Sequence, residues 1–187
     1  METMEVSLLI ELTRLYTEPH RRYHDLRHIA DMLCKGAALG LSDEQVMAIW
    51  FHDAIYRPGS KTNESDSAEL AVKRLSALGW SRERVQVVER IVLDTCGHVP
   101  SIEESKQVID LDLSTLGGSW ESYQRNGRNI RQEFAQVSEA DWNAGRGAWL
   151  NTMLDRERIF WTPWGRPLEQ EARANLRHDL ELLMKGE

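Results

Sequence analysis

The 187-residue sequence has few cysteines, no excess of basic residues and no long apolar run, and each absence excludes a class of protein. Its two cysteines, Cys34 and Cys96, form neither a CxxC pair nor the framework of a disulfide-rich secreted domain. The N-terminus METMEVSLLIEL carries acidic residues before its apolar segment and lacks the basic start of a signal peptide. We therefore expect a reducing, cytoplasmic setting.

The charge and hydropathy of the chain restrict its partners. The formal net charge is −7, and an acidic surface repels polyanions, so we expect no nucleic-acid polymer as a partner. No apolar segment approaches the roughly 18 to 20 residues of a membrane span, so we expect no membrane partner. A small phosphorylated ligand would have to meet a local group of basic side chains. The sequence leaves a homo-oligomer open.

Length and composition indicate one globular domain over residues 1–187, because a chain of this size that is 41% hydrophobic can bury a sizeable core. No low-complexity linker and no repeat of roughly 20 to 50 residues is found. Apolar residues recur at helical spacing along nearly the whole chain, and no pair of alternating strand patterns occurs. We therefore predict an all-α fold, a single helical bundle.

The apolar spacing predicts nine helical segments, bounded by glycine, proline and serine signals. Ser42-Asp43-Glu44 offers capping chemistry for the third segment, in which the apolar pattern continues to Ile55 before Pro58. This pattern would place His52 and Asp53 inside a helix. The predicted segments cover residues 6–15, 29–37, 46–55, 64–78, 81–92, 111–116, 123–137, 142–160 and 168–184.

Three His-Asp dipeptides occur, beginning at residues 24, 52 and 178. The second lies in the apolar segment AIWFHDAIY, where a buried imidazole and carboxylate require partners. Such partners are a metal ion or, equally well on this evidence, neighbouring groups of the core. The third, His178-Asp179, lies among charged residues on the last predicted helix, which indicates a solvated face.

Two imidazoles and two carboxylates form a ligand set for a divalent cation. Adjacent residues on a helix point about 100 degrees apart, so His52 and Asp53 could reach a cation only over the arc between them. His24 and His28 are four residues apart and share a face, whereas Asp110 and Asp112 point in different directions. Spacing alone chooses within neither pair.

The order His28, His52-Asp53, Asp112 resembles the H…HD…D signature of the HD-domain superfamily of metal-dependent phosphohydrolases. The resemblance covers roughly residues 14 to 183 and implies an HD-type all-α domain. It also implies a metal-dependent hydrolase that cleaves a phosphate ester or anhydride in a small phosphorylated molecule, for example a nucleotide. Eight segments in order look like those of a bacterial branch of predicted phosphohydrolases: RRYHDLRHI, AIWFHDAIY, NESDSAELA, DTCGH, IDLDLSTLG, IRQEF, GRGAWL and EARANL.

The resemblance implies four metal ligands and one metal ion. Members with two metals need two further histidines between the HD dipeptide and the last aspartate, and only His98 lies there. Imidazole ligands favour Mn, Fe, Co, Ni or Zn over Mg. His24 then contacts a metal ligand or the substrate, and Asp25 departs from the asparagine expected at that position. The implied ligands are His28, His52, Asp53 and Asp112.

Proton transfer and phosphate binding would need further side chains. Resemblance to HD nucleotidases implies Glu64 as the general acid or base, although a carboxylate at a helix N-terminus is also explained electrostatically. His98 is the alternative. Lys61, with Arg57, lies in a loop that could act as a lid, and guanidinium groups bind phosphate in a bidentate manner. The predicted phosphate-binding arginines are Arg131, Arg146 and Arg173.

Three functions remain open from the sequence. The first is the metal-dependent phosphohydrolase. The second is a nucleotide-sensing or regulatory HD module with little turnover. The third is a helical interaction domain whose polar core groups satisfy one another, and metal analysis of the purified protein would separate it from the other two.

Overall fold

A computed structural model describes residues 2–186 and the side chains of residues 6–186. Within this range the chain forms nine α-helices and two short 3-10 helices and no strand, which confirms the predicted all-α fold. None of these helices is long and apolar enough to cross a membrane. The α-helices, α1 to α9, are Glu2–Leu15, Leu26–Gly36, Asp43–Phe51, Asn63–Ala77, Arg82–Thr95, Glu103–Leu113, Trp120–Glu133, Glu139–Leu154 and Glu169–Lys185.

Side-chain caps set the start of several helices. Ser42 accepts a hydrogen bond from the Gln45 amide, and the Gln45 side chain accepts from the Ser42 amide, a capping box that starts α3. Asp25 caps α2 by accepting from the Arg27 amide at 2.8 Å. The carboxylate at this position therefore fixes the start of the helix that carries His28.

Several helix boundaries differ from the prediction, among them the following three. The third helix ends at Phe51 and not near Ile55, so the prediction that His52 and Asp53 lie within a helix is wrong. α6 begins at Glu103, well before the predicted residue 111, because acidic residues in its first turn favour a helix N-terminus. α8 ends at Leu154, where the Arg173 guanidinium donates to the terminal carbonyl at 2.9 Å.

The chain divides into two compact units, one up to Leu111 and one from Asp112, so the boundary falls in the last turn of α6. In the first unit α5 packs against α3 and α4, and α2 packs against α3. Its fully buried side chains include Leu12, Tyr16, Ile29, Met32, Ile49, Phe51, Leu75 and Ile91. The extent of a single domain over residues 1–187 stays a prediction.

In the second unit α9 packs against α8 and against the 3-10 helix Ser114–Gly117. A Cβ atom at Gly117 would lie 2.7 Å from the Leu168 Cβ and 2.9 Å from the Leu168 carbonyl oxygen, so this approach requires glycine. The Asn175 amide group donates to the Leu116 and Gly118 carbonyls, which fastens the same 3-10 helix to α9.

Candidate metal centre

His52 and Asp53 lie in the turn that follows α3. His52 is the C-cap residue, and the chain leaves the helical path directly after it. The Asp53 carboxylate consequently turns back, and its Oδ2 atom lies 3.1 Å from His52 Nε2. Neighbouring side chains inside a helix would have diverged. The end of α3 is therefore what brings the two groups together.

The hydrogen bond on the other side of the His52 ring fixes its tautomer. His52 Nδ1 lies 2.9 Å from the Ile49 carbonyl oxygen, and a carbonyl can only accept, so Nδ1 carries a hydrogen. In the neutral ring Nε2 then presents a lone pair toward the Asp53 carboxylate. His52 is only 1% exposed. A proton on Nε2 or a cation between the two atoms would make this arrangement favourable.

His28 joins this pair from α2. Its ring centroid lies 5.5 Å from that of His52, and His28 is buried. His28, His52 and Asp53 can each offer one ligand atom such that all three atoms lie within 4.8 Å of one another. These three residues could hold a metal ion. Two imidazoles and one carboxylate are a donor set that Zn²⁺ and Fe²⁺ use in catalytic sites with open coordination positions.

The predicted fourth ligand belongs to the last turn of α6. Asp112 is half-buried, whereas Asp110, the alternative left open by spacing, is fully buried. Neither is among the three residues that form the described ligand group. The assignment of Asp112 as a metal ligand stays a prediction.

Aromatic rings surround the imidazoles of the first unit. The Tyr23 ring is tilted against the His28 ring at 5.1 Å between centroids, and the His24 ring lies 4.4 Å from the Tyr56 ring. His24 and His28 ring centroids are 6.4 Å apart. His24 is therefore a neighbour of a candidate ligand, and its contact with substrate stays a prediction.

Glu64 lies in the first turn of α4, as the sequence predicted. Partial burial and the Glu64 carboxylate, which accepts a hydrogen bond from the thiol, raise the pKa of Cys96. Cys96 and His98 belong to the same short loop, and His98 adopts a left-handed backbone with φ of 49°. Lys61 is exposed in the loop before α4. The catalytic and substrate roles of Glu64, His98 and Lys61 stay predictions.

A buried carboxylate fixes the loop that carries His98. Asp94 accepts hydrogen bonds from the Ser101 amide at 2.7 Å and from the Ser105 hydroxyl at 2.6 Å. The Val99 amide donates to the Asp94 carbonyl at 3.3 Å. These contacts close the loop between α5 and α6 and hold residues 96–98 in place.

Two of the three predicted phosphate-binding arginines bind carbonyl groups of the second unit. Arg131 donates to Phe134 and Val137 carbonyls at 2.7 and 3.2 Å, beyond the end of α7. Arg173 donates to the Leu154 and Arg156 carbonyls and pairs with Glu169 at 2.6 Å. These contacts stabilise helix ends, and a role in substrate binding stays a prediction.

The third arginine, Arg146, forms a polar cluster with the third His-Asp dipeptide. It donates to Asp179 Oδ2 at 2.8 Å and to the Tyr123 hydroxyl at 2.8 Å, and the Tyr123 hydroxyl donates to Asp179 at the same distance. Asp179 therefore has a cation and a hydroxyl as partners, whereas His178 is exposed with its ring edge-on to Trp120. The substrate role of Arg146 also stays a prediction.

Two residues that contact Asp53 were missed in the sequence. The Asp53 amide donates to the Tyr16 hydroxyl at 3.2 Å, and the Asp53 carbonyl accepts from Arg21 at 2.8 Å. Tyr16 directly follows the last residue of α1, and Arg21 belongs to a short basic segment. Nothing in the spacing of either residue distinguishes it from ordinary core or surface positions.

Comparisons of the chain with protein families, with curated proteins and with solved structures give no match. The resemblance to the HD superfamily therefore depends on the residues themselves.

Proposed function

We propose that this chain is a metal-dependent phosphohydrolase of HD type, in which His28, His52 and Asp53 bind one divalent metal ion. The observation that carries the proposal is the His52 tautomer. Its Nδ1 hydrogen is held by the Ile49 carbonyl, so the Nε2 lone pair faces the Asp53 carboxylate at 3.1 Å. A divalent metal ion is a group that both atoms can bind at once, and His28 offers it a third ligand atom.

Asp112 is proposed as the fourth ligand, because it completes the H…HD…D order. The donor set favours Mn, Fe, Co, Ni or Zn over Mg, since Mg prefers oxygen ligands. When bound, such an ion lowers the pKa of a coordinated water and polarises a phosphoryl oxygen. We also propose a cytoplasmic setting, because the sequence carries neither a CxxC pair nor the cysteine framework of a secreted disulfide-rich domain.

Glu64 is proposed to transfer the proton, with His98 as the alternative. Glu64 is half-buried at the N-terminal end of α4 and keeps a thiol donor on its carboxylate. A carboxylate that already accepts one weak hydrogen bond retains acceptor capacity for a water or a leaving group. His98 lies on the neighbouring segment, in the loop that the Asp94 hydrogen bonds close.

The proposed substrate is a small phosphorylated molecule. Lys61 is a suitable first contact for its phosphate, because this exposed side chain makes no ion pair or hydrogen bond with the part of the chain that the structure describes. Arg131, Arg146 and Arg173 would have to leave carbonyl or carboxylate partners to bind phosphate. We therefore rank Lys61 ahead of the arginines.

The decisive experiment measures metal and turnover on the same preparation. Protein purified without added metal is analysed by mass spectrometry of the elements, and is then assayed with a phosphomonoester, a nucleotide and pyrophosphate in the presence of Mn, Co, Ni, Zn or Mg. We expect about one transition-metal ion per chain and hydrolysis of at least one substrate. Absence of metal in wild-type protein, even after incubation with each ion, would refute the proposal.

Metal binding without turnover would instead favour the regulatory module. Asp53→Asn is the matched control, because it keeps the shape of the side chain and removes the charge that a cation requires. If this variant hydrolyses the substrate as fast as the wild type, the activity comes from a contaminant or from another site.

A further inference from the structure

Arg21 is a buried arginine whose guanidinium joins two segments of the candidate metal centre. The residue is only 3% exposed. Its Nη1 atom donates to the carbonyl oxygens of His24 and Asp53, each at 2.8 Å, and its Nη2 atom donates to the Ala54 carbonyl at 3.0 Å. One side chain thus connects the segment before α2 with the turn after α3.

Tyr16 is the second side chain that binds the backbone of Asp53. Its hydroxyl accepts from the Asp53 amide at 3.2 Å, so both backbone polar groups of Asp53 are bound by side chains. The Arg21 guanidinium lies 5.0 Å from the Tyr16 ring centroid and 5.3 Å from that of Tyr56. Its Nε atom pairs with Glu18 at 3.1 Å. Aromatic faces and one carboxylate therefore compensate the buried charge.

The turn after α3 needs such partners. Carbonyl groups beyond a helix end have no amide one turn further on to bind. The rigid fork of a guanidinium can satisfy several carbonyls in one fixed geometry, whereas an ammonium group donates from a single point. Groups that hydrogen-bond to a metal-ligating residue without touching the ion commonly determine the affinity of the site for the metal.

We infer that Arg21, together with Tyr16, is a positioning residue for the metal centre: it fixes the backbone of Asp53 so that the carboxylate faces His52. The inference rests on the proposed function only where metal binding is measured. This positioning role differs from a general role of Arg21 in core packing. It predicts a local effect on the turn that carries Asp53 and a change in the metal affinity of the folded protein.

The test compares Arg21→Lys and Tyr16→Phe with a neighbouring control. Arg22 is exposed, and its guanidinium donates to the Pro19 and Arg21 carbonyls of its own segment, so Arg22→Lys is the matched control. Each metal-free protein is titrated with Mn²⁺ by calorimetry at a temperature where circular dichroism shows it folded. We expect Arg21→Lys to weaken binding about 10- to 100-fold. Tyr16→Phe loses one hydrogen bond and should weaken binding about 2- to 10-fold.

Hydrogen exchange of the metal-free proteins gives a second readout that does not depend on metal. In Arg21→Lys and Tyr16→Phe the Asp53 amide should exchange faster, while amides in the middle of α4 and α5 keep wild-type rates. A uniform increase in all helices, or unchanged exchange at Asp53, would overturn the inference. So would wild-type Mn²⁺ affinity in both variants.

The two readouts separate failure of this inference from failure of the proposed function. If wild-type protein binds no Mn²⁺, the metal function is contradicted, and exchange at Asp53 alone decides whether Arg21 positions the turn. If Arg21→Lys does not fold, the gentler Tyr16→Phe variant carries both measurements, because it keeps the ring and removes only the hydroxyl.

Discussion

The two units contain the same dipeptide in two different backbone settings. In the first unit His52-Asp53 follows the last residue of α3, and the two side chains meet at 3.1 Å. In the second unit His178-Asp179 lies within α9, and the side chains diverge to different partners. In this chain the His-Asp dipeptide at the end of a helix is the candidate ligand pair, whereas the dipeptide inside a helix is not.

The partners of the two aspartates differ in the same way. Asp179 accepts from Arg146 and from the Tyr123 hydroxyl, so its charge is already balanced. Asp53 faces an imidazole nitrogen whose ring hydrogen is on the opposite side. A cation beside Asp53 would bind the carboxylate and the imidazole nitrogen together, whereas Asp179 already has a cation as its partner.

The largest expected effect is the loss of metal from the first dipeptide. Asp53→Ala or His52→Ala removes one of three clustered ligand atoms, and we expect metal content to fall from about one ion per chain to background. Asp179→Ala is the matched control and should retain the metal. Elemental analysis after dialysis against a chelator provides the measurement. Full metal content in Asp53→Ala, or loss of metal in Asp179→Ala alone, would contradict the assignment of the metal to the first dipeptide.

The second effect tests proton transfer in the first unit. Glu64→Gln keeps the shape of the side chain and removes its ionisable group, so kcat should fall about 100-fold or more at unchanged metal content. Steady-state kinetics across the pH range provide the measurement. Wild-type kcat at every pH would transfer the role to His98 and would explain Glu64 by its favourable position at the start of α4.

The helices could be predicted because apolar spacing and serine caps are local signals. Ser42 and Ser81, for example, begin α3 and α5 where the sequence placed them. The end of α3 could not be predicted, because the apolar pattern continues through Ile55 while the backbone turns after Phe51. That turn depends on Arg21 and Tyr16, which are 32 and 37 residues away from Asp53. No periodicity reports contacts at such separation.

In the candidate site, too, local features could be predicted and distant contacts could not. The apolar surroundings of His52 in the sequence predicted its burial, and both His52 and His28 are buried in the structure. The partners of Asp179 were not predictable, because a run of charged residues on a helix is usually solvated. Arg146 and Tyr123 approach it from α8 and α7, 33 and 56 residues away.

A third effect concerns stability of the second unit. Asp179→Asn removes the charge that balances the Arg146 guanidinium, whose side chain is only 11% exposed. We expect the free energy of unfolding to fall by about 1–3 kcal/mol, with metal content unchanged. Urea unfolding followed by tryptophan fluorescence measures it, because the second unit contains five of the seven tryptophans. An unaltered unfolding midpoint would mean that Asp179 is solvated, as the sequence indicated.

A fourth effect is the response of that cluster to alkaline pH. Burial raises the pKa of the Tyr123 hydroxyl far above its ordinary value. The folded state therefore keeps the proton at pH values where the unfolded state has lost it. The contribution of Tyr123 to the free energy of unfolding is complete below about pH 10 and declines as the pH rises above that value. Tyr123→Phe should make unfolding less dependent on pH in that range. Equal pH dependence in the variant and the wild type would contradict the burial of this hydroxyl.

The smallest effect is expected at His178, the histidine of the dipeptide that lies inside α9. His178 is exposed, and its one described ring contact is edge-on to Trp120 at 4.4 Å between centroids. Surface substitutions usually change stability by less than about 0.5 kcal/mol, and loss of an exposed aromatic pair adds little. His178→Ala should therefore keep metal content, kcat and nearly all stability, whereas His52→Ala loses the metal. Elemental analysis, kinetics and urea unfolding of the two variants side by side measure this difference. A loss of metal in His178→Ala would mean that the dipeptide inside a helix binds the ion, and the end of α3 would no longer explain the site.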